Sequence, residues 1–144
     1  MKISIINGPN LNLLGTREPG IYGTQTFDSY FEGLCRKFPG LQFNAFQSNV
    51  EGELINEVQQ AGMGGADAIV INPGGYTHTS VALGDAIAAV KTPVVEVHIS
   101  NIFSREPFRH VSHVSGSCRG VISGLGLMGY ELAVRYLIAA SPEE

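Results

Sequence analysis

Three polar side chains stand at alternate positions of one short segment that has the composition of a β-strand. Residues 94–100 read Val-Val-Glu-Val-His-Ile-Ser. Because successive side chains of a strand point to opposite faces, Glu96, His98 and Ser100 are predicted to share one face. A carboxylate beside a histidine can hold one ring nitrogen and leave the other to act as a general acid or base. A solvated polar face is the alternative, but the apolar opposite face favours a catalytic pair.

A second concentration of polar residues lies in a loop rich in glycine and proline, residues 7–23, which follows the first predicted strand. Connections from strand to helix usually have about 2–6 residues, and longer ones tend to be functional or disordered. Two interpretations are open: a phosphate cradle, or a lid over about residues 15–25. The cradle is weakened because neither GxGxxG nor GxxxxGK[ST] follows this strand.

Tyr22 is the residue on which the lid interpretation depends. A free tyrosine has a pKa of about 10, so it becomes a base near neutral pH only if a cation stabilises the phenolate. Arg17 precedes it in the same loop. The alternative is a tyrosine packed on the surface.

Further polar residues follow the ends of other predicted strands. Asn72 precedes Pro-Gly-Gly, which leaves the backbone open to a ligand. His78 could contact a ligand or be a capping or hydrogen-bonding histidine, and Thr79-Ser80 after it could cap the next helix. Arg105 and Arg109 could be a solvated pair or could give the site positive charge suited to an anionic ligand. His110 and His113 have the His-x-x-His spacing, but no carboxylate or cysteine flanks them, so no metal site is predicted.

The elements that must position these residues alternate regularly. Strands are predicted at residues 3–6, 41–46, 68–71, 93–99 and 120–123. Helices are predicted at 26–38, 81–90 and 129–140, and a further helix follows a capping box at Ser48 to Glu51 and ends at about residue 61. The last helix is predicted to turn Leu132, Val134, Leu137 and Ile138 inward. This alternation predicts one α/β domain, residues 1–144, with a flavodoxin-like three-layer sandwich and a five-stranded parallel sheet. Ligands of such sheets bind beyond the carboxyl ends of the strands, where the polar segments would meet.

Composition limits the remaining possibilities. The chain has 144 residues, of which 44% are hydrophobic and 15% charged. So few charges are typical either of a surface covered by other subunits or of a small domain rich in glycine and alanine. The net charge of −4 gives no overall attraction to nucleic acid or an anionic membrane. We find no signal-peptide core and no apolar run that spans a bilayer, so the cytoplasm is expected. Cys35 and Cys118 indicate no disulfide framework, and their roles stay open.

Four segments in order give the chain a specific resemblance. They are INGPNLNLLGTREP at 6–19, NPGGYTHTSVAL at 72–83, VEVHISN at 95–101 and GLGLMGY at 124–130. Over about residues 3–138 the chain resembles the type II 3-dehydroquinate dehydratases of the shikimate pathway. The resemblance implies a flavodoxin-like fold and a homododecamer, a tetramer of trimers. It also implies reversible loss of water from 3-dehydroquinate to give 3-dehydroshikimate through an enolate, with no cofactor and no metal.

The resemblance also assigns catalytic roles. Tyr22 would remove a proton from C2 of the substrate, with Arg17 stabilising its phenolate. A water bound to Asn10 would hold the enolate oxygen. His98, oriented by Glu96, would protonate the departing C1 hydroxyl.

Binding roles follow from the same resemblance. The substrate carboxylate would meet Asn72 and the backbone N–H groups of Ile99 and Ser100, while His78 and Arg109 would contact the ring hydroxyls. Asp85 is expected to reach the site of a neighbouring subunit, and Arg105 to face the lid.

The chain departs from the family pattern at two places, and two alternative functions remain open. Val50 stands where a histidine is common in the family, and residues 115–119 are unusual before the last strand; neither is expected to touch the chemistry. A flavodoxin-like module that binds FMN for electron transfer is the alternative from another class. Degradation of quinate would use the same reaction in another pathway.

Overall fold

The computed structural model describes residues 1–16, 20 and 24–142. The predicted base Tyr22 and its partner Arg17 therefore lie outside the described residues. The predicted lid, about residues 15–25, is described only in part.

A parallel five-stranded sheet forms the centre of the molecule. Its strands are β1 Lys2–Asn7, β2 Gln42–Gln47, β3 Ala68–Asn72, β4 Val94–His98 and β5 Gly120–Ser123. Their order is β2-β1-β3-β4-β5, and each neighbouring pair is parallel. This is the flavodoxin-like order, so the predicted fold class is confirmed.

Among the described residues, four α-helices cover the two faces of the sheet: α1 Phe27–Lys37, α2 Glu51–Gln60, α3 Val81–Ala89 and α4 Met128–Ala140. The central strands are apolar in both directions because both faces are covered. On one face Ile5 and Val70 pack with Leu34 of α1 and Leu137 of α4. On the other face the strand residues Ile6 and Ile71 pack with α2 and α3, through Leu54, Val58, Leu83 and Ile87. The three predicted layers are therefore present.

Hydroxyl side chains cap two of the helices, but the capping box predicted from the sequence is not formed. Thr26 accepts a hydrogen bond from the Ser29 N–H (3.2 Å), and Ser80 accepts one from the Leu83 N–H (2.9 Å), so both cap their helices. The predicted capping box at Ser48 is not formed. The Ser48 hydroxyl instead accepts from the Val50 N–H (2.9 Å) and donates to Glu53 (2.7 Å), because the extended Val50 separates it from the helix.

The end of α4 gives a second correction. Ile138 was predicted to face inward but is 40% exposed, whereas its neighbour Leu137 is buried. Adjacent residues of a helix are about 100° apart, and here Leu137 takes the inward position while Ile138 turns toward solvent.

The sheet creates one crevice where its strand order reverses. From β1 the chain continues to the edge strand β2, then crosses to β3 on the other side of β1. The loops that follow β1 and β3 therefore diverge, and their strand ends lie side by side, with Asn7 paired to Asn72. Ligands of this fold bind at such a switch point. In the part of the chain that the structure describes, no helix is long and apolar enough to cross a membrane.

Candidate active site

A cleft of about 140 Å³ lies over the carboxyl ends of β1, β3 and β4. Polar residues from three separate segments line it together with small and apolar ones. Those that the sequence predicted are Asn10, Asn72, His78, His98, Ile99, Ser100, Arg105 and Arg109. The expectation that the polar segments meet at one rim is confirmed for these residues.

The buried pair His98 and Glu96 forms one wall of the cleft. His98 is 5% exposed and lines the cleft, and Glu96, two residues earlier on the same strand face, is fully buried beneath it. The Nε2 atom of His98 is hydrogen-bonded to Oε2 of Glu96. Because Nε2 is occupied in this way, Nδ1 is the ring nitrogen left for exchange with a ligand.

Glu96 accepts hydrogen bonds from two hydroxyl groups in addition to His98. Thr77 Oγ1 donates to Oε2 (2.8 Å), and Ser115 Oγ donates to Oε1 (2.6 Å). Burial is the strongest influence on this carboxyl and raises its pKa, but the hydrogen bond and charge of His98 together with the two hydroxyls outweigh it. The pKa of Glu96 consequently lies below its usual range, and the carboxylate stays ionised although it is buried.

Sequence reasoning missed both hydroxyl donors. Residues 115–119 were expected not to touch the chemistry, and for Ser115 this was wrong. It contacts Glu96 because the short 3₁₀ turn Ser115–Ser117 folds back beside β4. Thr77 could have been noticed as the neighbour of His78 in the segment after β3. For Ser115 the local sequence contained no signal, since only the tertiary fold brings the two residues together.

His78 is held in one tautomer by the backbone. Its Nδ1 lies 2.8 Å from the carbonyl oxygen of Val111, and a carbonyl can only accept, so Nδ1 carries the hydrogen. Burial lowers the pKa of His78, and the nearby His98 and Arg109 lower it further, against the opposing effects of Val111 and Glu96. A neutral ring leaves Nε2 as an acceptor. Of the predicted alternatives for His78, capping fails because Ser80 caps α3, whereas the bond to Val111 makes it a hydrogen-bonding histidine that also lines the cleft.

Asn72 belongs to a buried network of neutral groups. Its Nδ2 donates to the hydroxyl of Tyr130 (3.0 Å), which donates to Oδ1 of Asn7 (2.7 Å). Its Oδ1 accepts from the Gly74 N–H (3.1 Å). These contacts fix the orientation of the Asn72 amide at the floor of the cleft, where the residue is 3% exposed. Tyr130 and Asn7 were not predicted as site residues, although Tyr130 ends the GLGLMGY segment.

Gly8 brings the loops after β1 and β3 into contact. Its N–H donates to the carbonyl of Asn72 (2.7 Å), and a Cβ at this position would lie 2.5 Å from the carbonyl oxygen of Pro73. Any larger residue would push the two loops apart. This close approach between two segments of the protein was not predicted, since the sequence analysis expected an open backbone for a ligand only at the Pro-Gly-Gly after Asn72.

Asn10 has an unusual backbone conformation. Among the described residues it is the one non-glycine residue with positive φ, at 69°. Asparagine tolerates this left-handed region better than most residues. Its N–H donates to Oδ1 of Asn49 (3.0 Å), which also accepts from Gln47 (3.1 Å). The loop after β2 thus holds Asn10 at the rim.

The two arginines lie on the outer side of the cleft and both line it. Arg105 donates to the Ser100 hydroxyl (3.1 Å), and Arg109 forms an ion pair with Glu106 (2.5 Å). The proposed contact of Arg105 with the lid stays a prediction. Asp85 is exposed on α3 and does not line the cleft, so its role toward a neighbouring subunit also stays a prediction.

Fold and site together define the class of the protein. It is a flavodoxin-like α/β protein whose switch-point cleft contains an acid–base pair of histidine and carboxylate beside two arginines. Within the described residues, no three histidine, cysteine, aspartate or glutamate side chains gather into a possible metal site.

Comparison with known proteins identifies the family. The sequence pattern of the family Dehydroquinase class II matches residues 1–138, and the chain belongs to this family. It is 54% identical to the 3-dehydroquinate dehydratase of Fusobacterium nucleatum, over 96% of this chain and 97% of that protein.

Solved structures agree with this assignment. The type II dehydroquinase of Butyrivibrio crossotus superposes with a TM-score of 0.90 at 46% identity, covering 96% of this chain and 97% of the other. That of Propionibacterium acnes superposes with a TM-score of 0.91 at 43% identity, covering 96% of each chain.

Proposed function

We propose that this protein is a hydro-lyase that removes water reversibly from 3-dehydroquinate to give 3-dehydroshikimate, in the shikimate pathway. The family match and the names of the similar proteins support this assignment. The observation that carries it is the His98–Glu96 pair, buried at the end of β4 and opening into the switch-point cleft. Quinate degradation is not needed to account for these findings.

The reaction begins with loss of a proton from C2 of the substrate. Tyr22, as a phenolate stabilised by Arg17, takes this proton, and the electron pair moves onto the C3 carbonyl oxygen as an enolate. A water held by Asn10 donates a hydrogen bond to that oxygen and stabilises its charge. The position of Asn10 on the cleft rim supports this role.

Departure of the hydroxyl group completes the elimination. The enolate collapses to restore the carbonyl and form the C1–C2 double bond, while Nδ1 of protonated His98 gives its proton to the C1 hydroxyl, which leaves as water. Glu96 holds Nε2 and stabilises the imidazolium before transfer. Its burial and its lowered pKa support this role.

Substrate binding uses the rest of the cleft. Asn72 and the backbone N–H groups of Ile99 and Ser100 bind the carboxylate, with Arg105 and Arg109 favouring an anion. His78 accepts a hydrogen bond from a ring hydroxyl through Nε2, as expected of a neutral ring whose Nδ1 is held by Val111. Arg109 contacts a second hydroxyl, and Arg105 faces the closed lid.

We also propose a homododecamer of single-domain subunits, a tetramer of trimers, located in the cytoplasm. The exposed position of Asp85 on α3 leaves its carboxylate available to a neighbouring site. Light scattering of the purified protein would measure the assembly directly. A mass of one to three subunits would contradict the proposal.

The decisive assay follows the enone absorbance of dehydroshikimate after addition of dehydroquinate. Tyr22→Phe and His98→Ala should each reduce kcat by at least about two orders of magnitude, the usual contribution of a general acid or base. Tyr136→Phe and His113→Ala are matched controls, because both residues are exposed and outside the active-site cleft. Turnover of Tyr22→Phe within a few-fold of wild type would remove the lid base from the mechanism, and a yellow protein with a flavin absorption band would favour the FMN-binding alternative.

A further inference from the structure

Two hydroxyl groups complete the surroundings of the catalytic carboxylate. Glu96 has no exposed surface, and each of its oxygens accepts a hydroxyl hydrogen bond, Oε1 from Ser115 and Oε2 from Thr77. We propose that Ser115 and Thr77 are positioning residues that keep Glu96 ionised, so that the proton shared with His98 stays on the histidine. This inference rests on the proposed function for its catalytic consequence.

The direction of the hydrogen bonds around Ser115 follows from the number of protons. An ionised carboxylate only accepts, so the single hydroxyl proton of Ser115 goes to Glu96. Ser115 Oγ also lies 2.8 Å from Ser112 Oγ, and the proton of that bond must therefore come from Ser112. Ser112 to Ser115 to Glu96 forms a chain in which every donor points toward the negative charge. Such chains strengthen each member.

The turn that carries Ser115 is well anchored. Val114 is fully buried in the core on the α3 side of the sheet. The N–H groups of Val114 and Ser115 both donate to Ser112 Oγ, at 3.0 and 2.9 Å. The hydroxyl of Ser115 is thus presented to Glu96 by a turn whose backbone is fixed, which reduces the conformational entropy lost in making the contact.

Thr77 is anchored to the same segment. It has no exposed surface, and it lies in the 3₁₀ turn Gly74–His78. Its carbonyl accepts from the His113 N–H (2.8 Å), two residues before Ser115. The two donors therefore form one assembly around the carboxylate, although they follow different strands.

Without these donors, the proton shared by Glu96 and His98 would be found more often on Glu96. Burial disfavours the charged form of a carboxyl, and a buried glutamate beside an imidazolium can take up the proton instead. A neutral pair has lost the imidazolium that acts as the acid. The hydroxyls prevent this by stabilising the carboxylate in place of water.

Other titratable groups near the pair do not provide this stabilisation. The His78 ring stacks on His98 at 6.4 Å between centroids, but its Nδ1 is directed at Val111. Burial, with the charge of Glu96, raises the pKa of Cys118 to about 12, so this thiol is neutral. The charge of Arg109 lowers the pKa of His78, and Arg109 itself is paired with Glu106.

The test compares variants that remove one hydroxyl with variants that keep it. Ser115→Ala and Thr77→Val each delete a donor, whereas Thr77→Ser retains one. Ser117→Ala and Thr79→Val are matched controls, because both residues are exposed neighbours. Infrared titration of the carboxyl band, assigned by its loss in Glu96→Gln, measures the protonation of Glu96 independently of activity. The pH profiles of kcat and KM are measured beside it.

The expected results have a definite sign. Loss of a donor raises the pKa of Glu96, so its infrared titration moves to higher pH. At the optimum, kcat falls about tenfold while KM changes less than about threefold, as expected when an interaction matters mainly in the transition state. Thr77→Ser and the two controls should follow the wild type.

The readouts separate this inference from the proposed function. An unchanged Glu96 titration in both hydroxyl-deleted variants overturns the inference, whatever happens to turnover. If wild-type protein does not dehydrate dehydroquinate but its Glu96 titration moves as expected in the variants, the proposed function fails and the hydroxyl assignment is supported.

Discussion

Two buried polar networks lie beneath the cleft, and they differ in charge. Under one wall, the ionised Glu96 accepts from His98, Thr77 and Ser115. Under the floor, the Tyr130 hydroxyl joins the amides of Asn7 and Asn72. Each network presents one side chain to the cleft, His98 in the first and Asn72 in the second.

The difference in charge separates two tasks of the site. A buried carboxylate responds to every donor around it through its pKa, so the first network can set the protonation of His98. Burial raises the pKa of Tyr130 far above the neutral range, so the second network contains no group that titrates near neutral pH. The first network is therefore expected to govern kcat and its pH dependence, and the second to govern substrate binding.

Replacement of the carboxylate should have the largest effect. Glu96→Gln removes the charge that stabilises the imidazolium and should lower kcat by about 10²–10³, with little change in KM. The assay is steady-state dehydration of dehydroquinate across pH. Glu32→Gln, at an exposed carboxylate, is the control. A raised KM with unchanged kcat would assign Glu96 to binding and remove the distinction between the networks.

Displacement of the Ser115 segment should have an intermediate effect. A Cβ on Gly84 of α3 would overlap the carbonyl oxygen of His113, so Gly84→Ala must shift the backbone next to Ser115. We expect about a tenfold loss of kcat and a loss of about 1–3 kcal/mol in the free energy of unfolding, measured with urea.

Gly52→Ala is the matched control for that substitution. Gly52 lies in α2, and a Cβ there meets nothing within 4 Å. Alanine in a helix should raise the free energy of unfolding by about 0.5–1 kcal/mol and leave kcat unchanged. If the two variants had the same kcat and the same free energy of unfolding, the contact between α3 and the Ser115 segment would contribute to neither.

Removal of the phenol from the neutral network should act on binding and stability. Tyr130→Phe leaves the buried Oδ1 of Asn7 without its donor and frees the Asn72 amide to rotate. The free energy of unfolding should fall by about 1–3 kcal/mol. KM should rise several-fold, while the limbs of the kcat profile stay in place. A shift of the Glu96 infrared titration in this variant would show that the two networks are coupled, and Tyr136→Phe, at an exposed position, serves as control.

The smallest expected effect is the pH dependence of stability. The pKa of Glu96 is lower in the folded state than in the unfolded state, so its stabilising contribution is complete above the unfolded carboxyl pKa of about 4.3 and is lost as the pH falls through the folded value. Ser115→Ala should therefore cost about 1 kcal/mol near neutral pH and less in acid. The cost of Tyr130→Phe should stay constant over the same range. Urea unfolding at several pH values measures both, and parallel curves would contradict the assignment of charge to one network alone.

The sequence predicted much of the fold because its signals are local. Apolar runs bounded by turn residues identified buried strands such as β1 and β3, and alternation of apolar and polar residues identified β2. Alternation along β4 placed Glu96 on the same face as His98. The error at Ser48 shows the limit of such signals, since a serine followed by a glutamate three residues later fits a capping box even where an extended residue intervenes.

By itself, then, the sequence determined the alternating elements, the order of the polar segments and the residues that meet at the rim, because parallel strands carry their carboxyl ends to one edge. Only the tertiary structure decided which groups complete the two networks. Tyr130 reaches Asn7 across 123 positions of sequence, and Ser115 reaches Glu96 across 19. A hydrogen bond depends on position and direction to within a fraction of an ångström, which residue types and spacing do not encode.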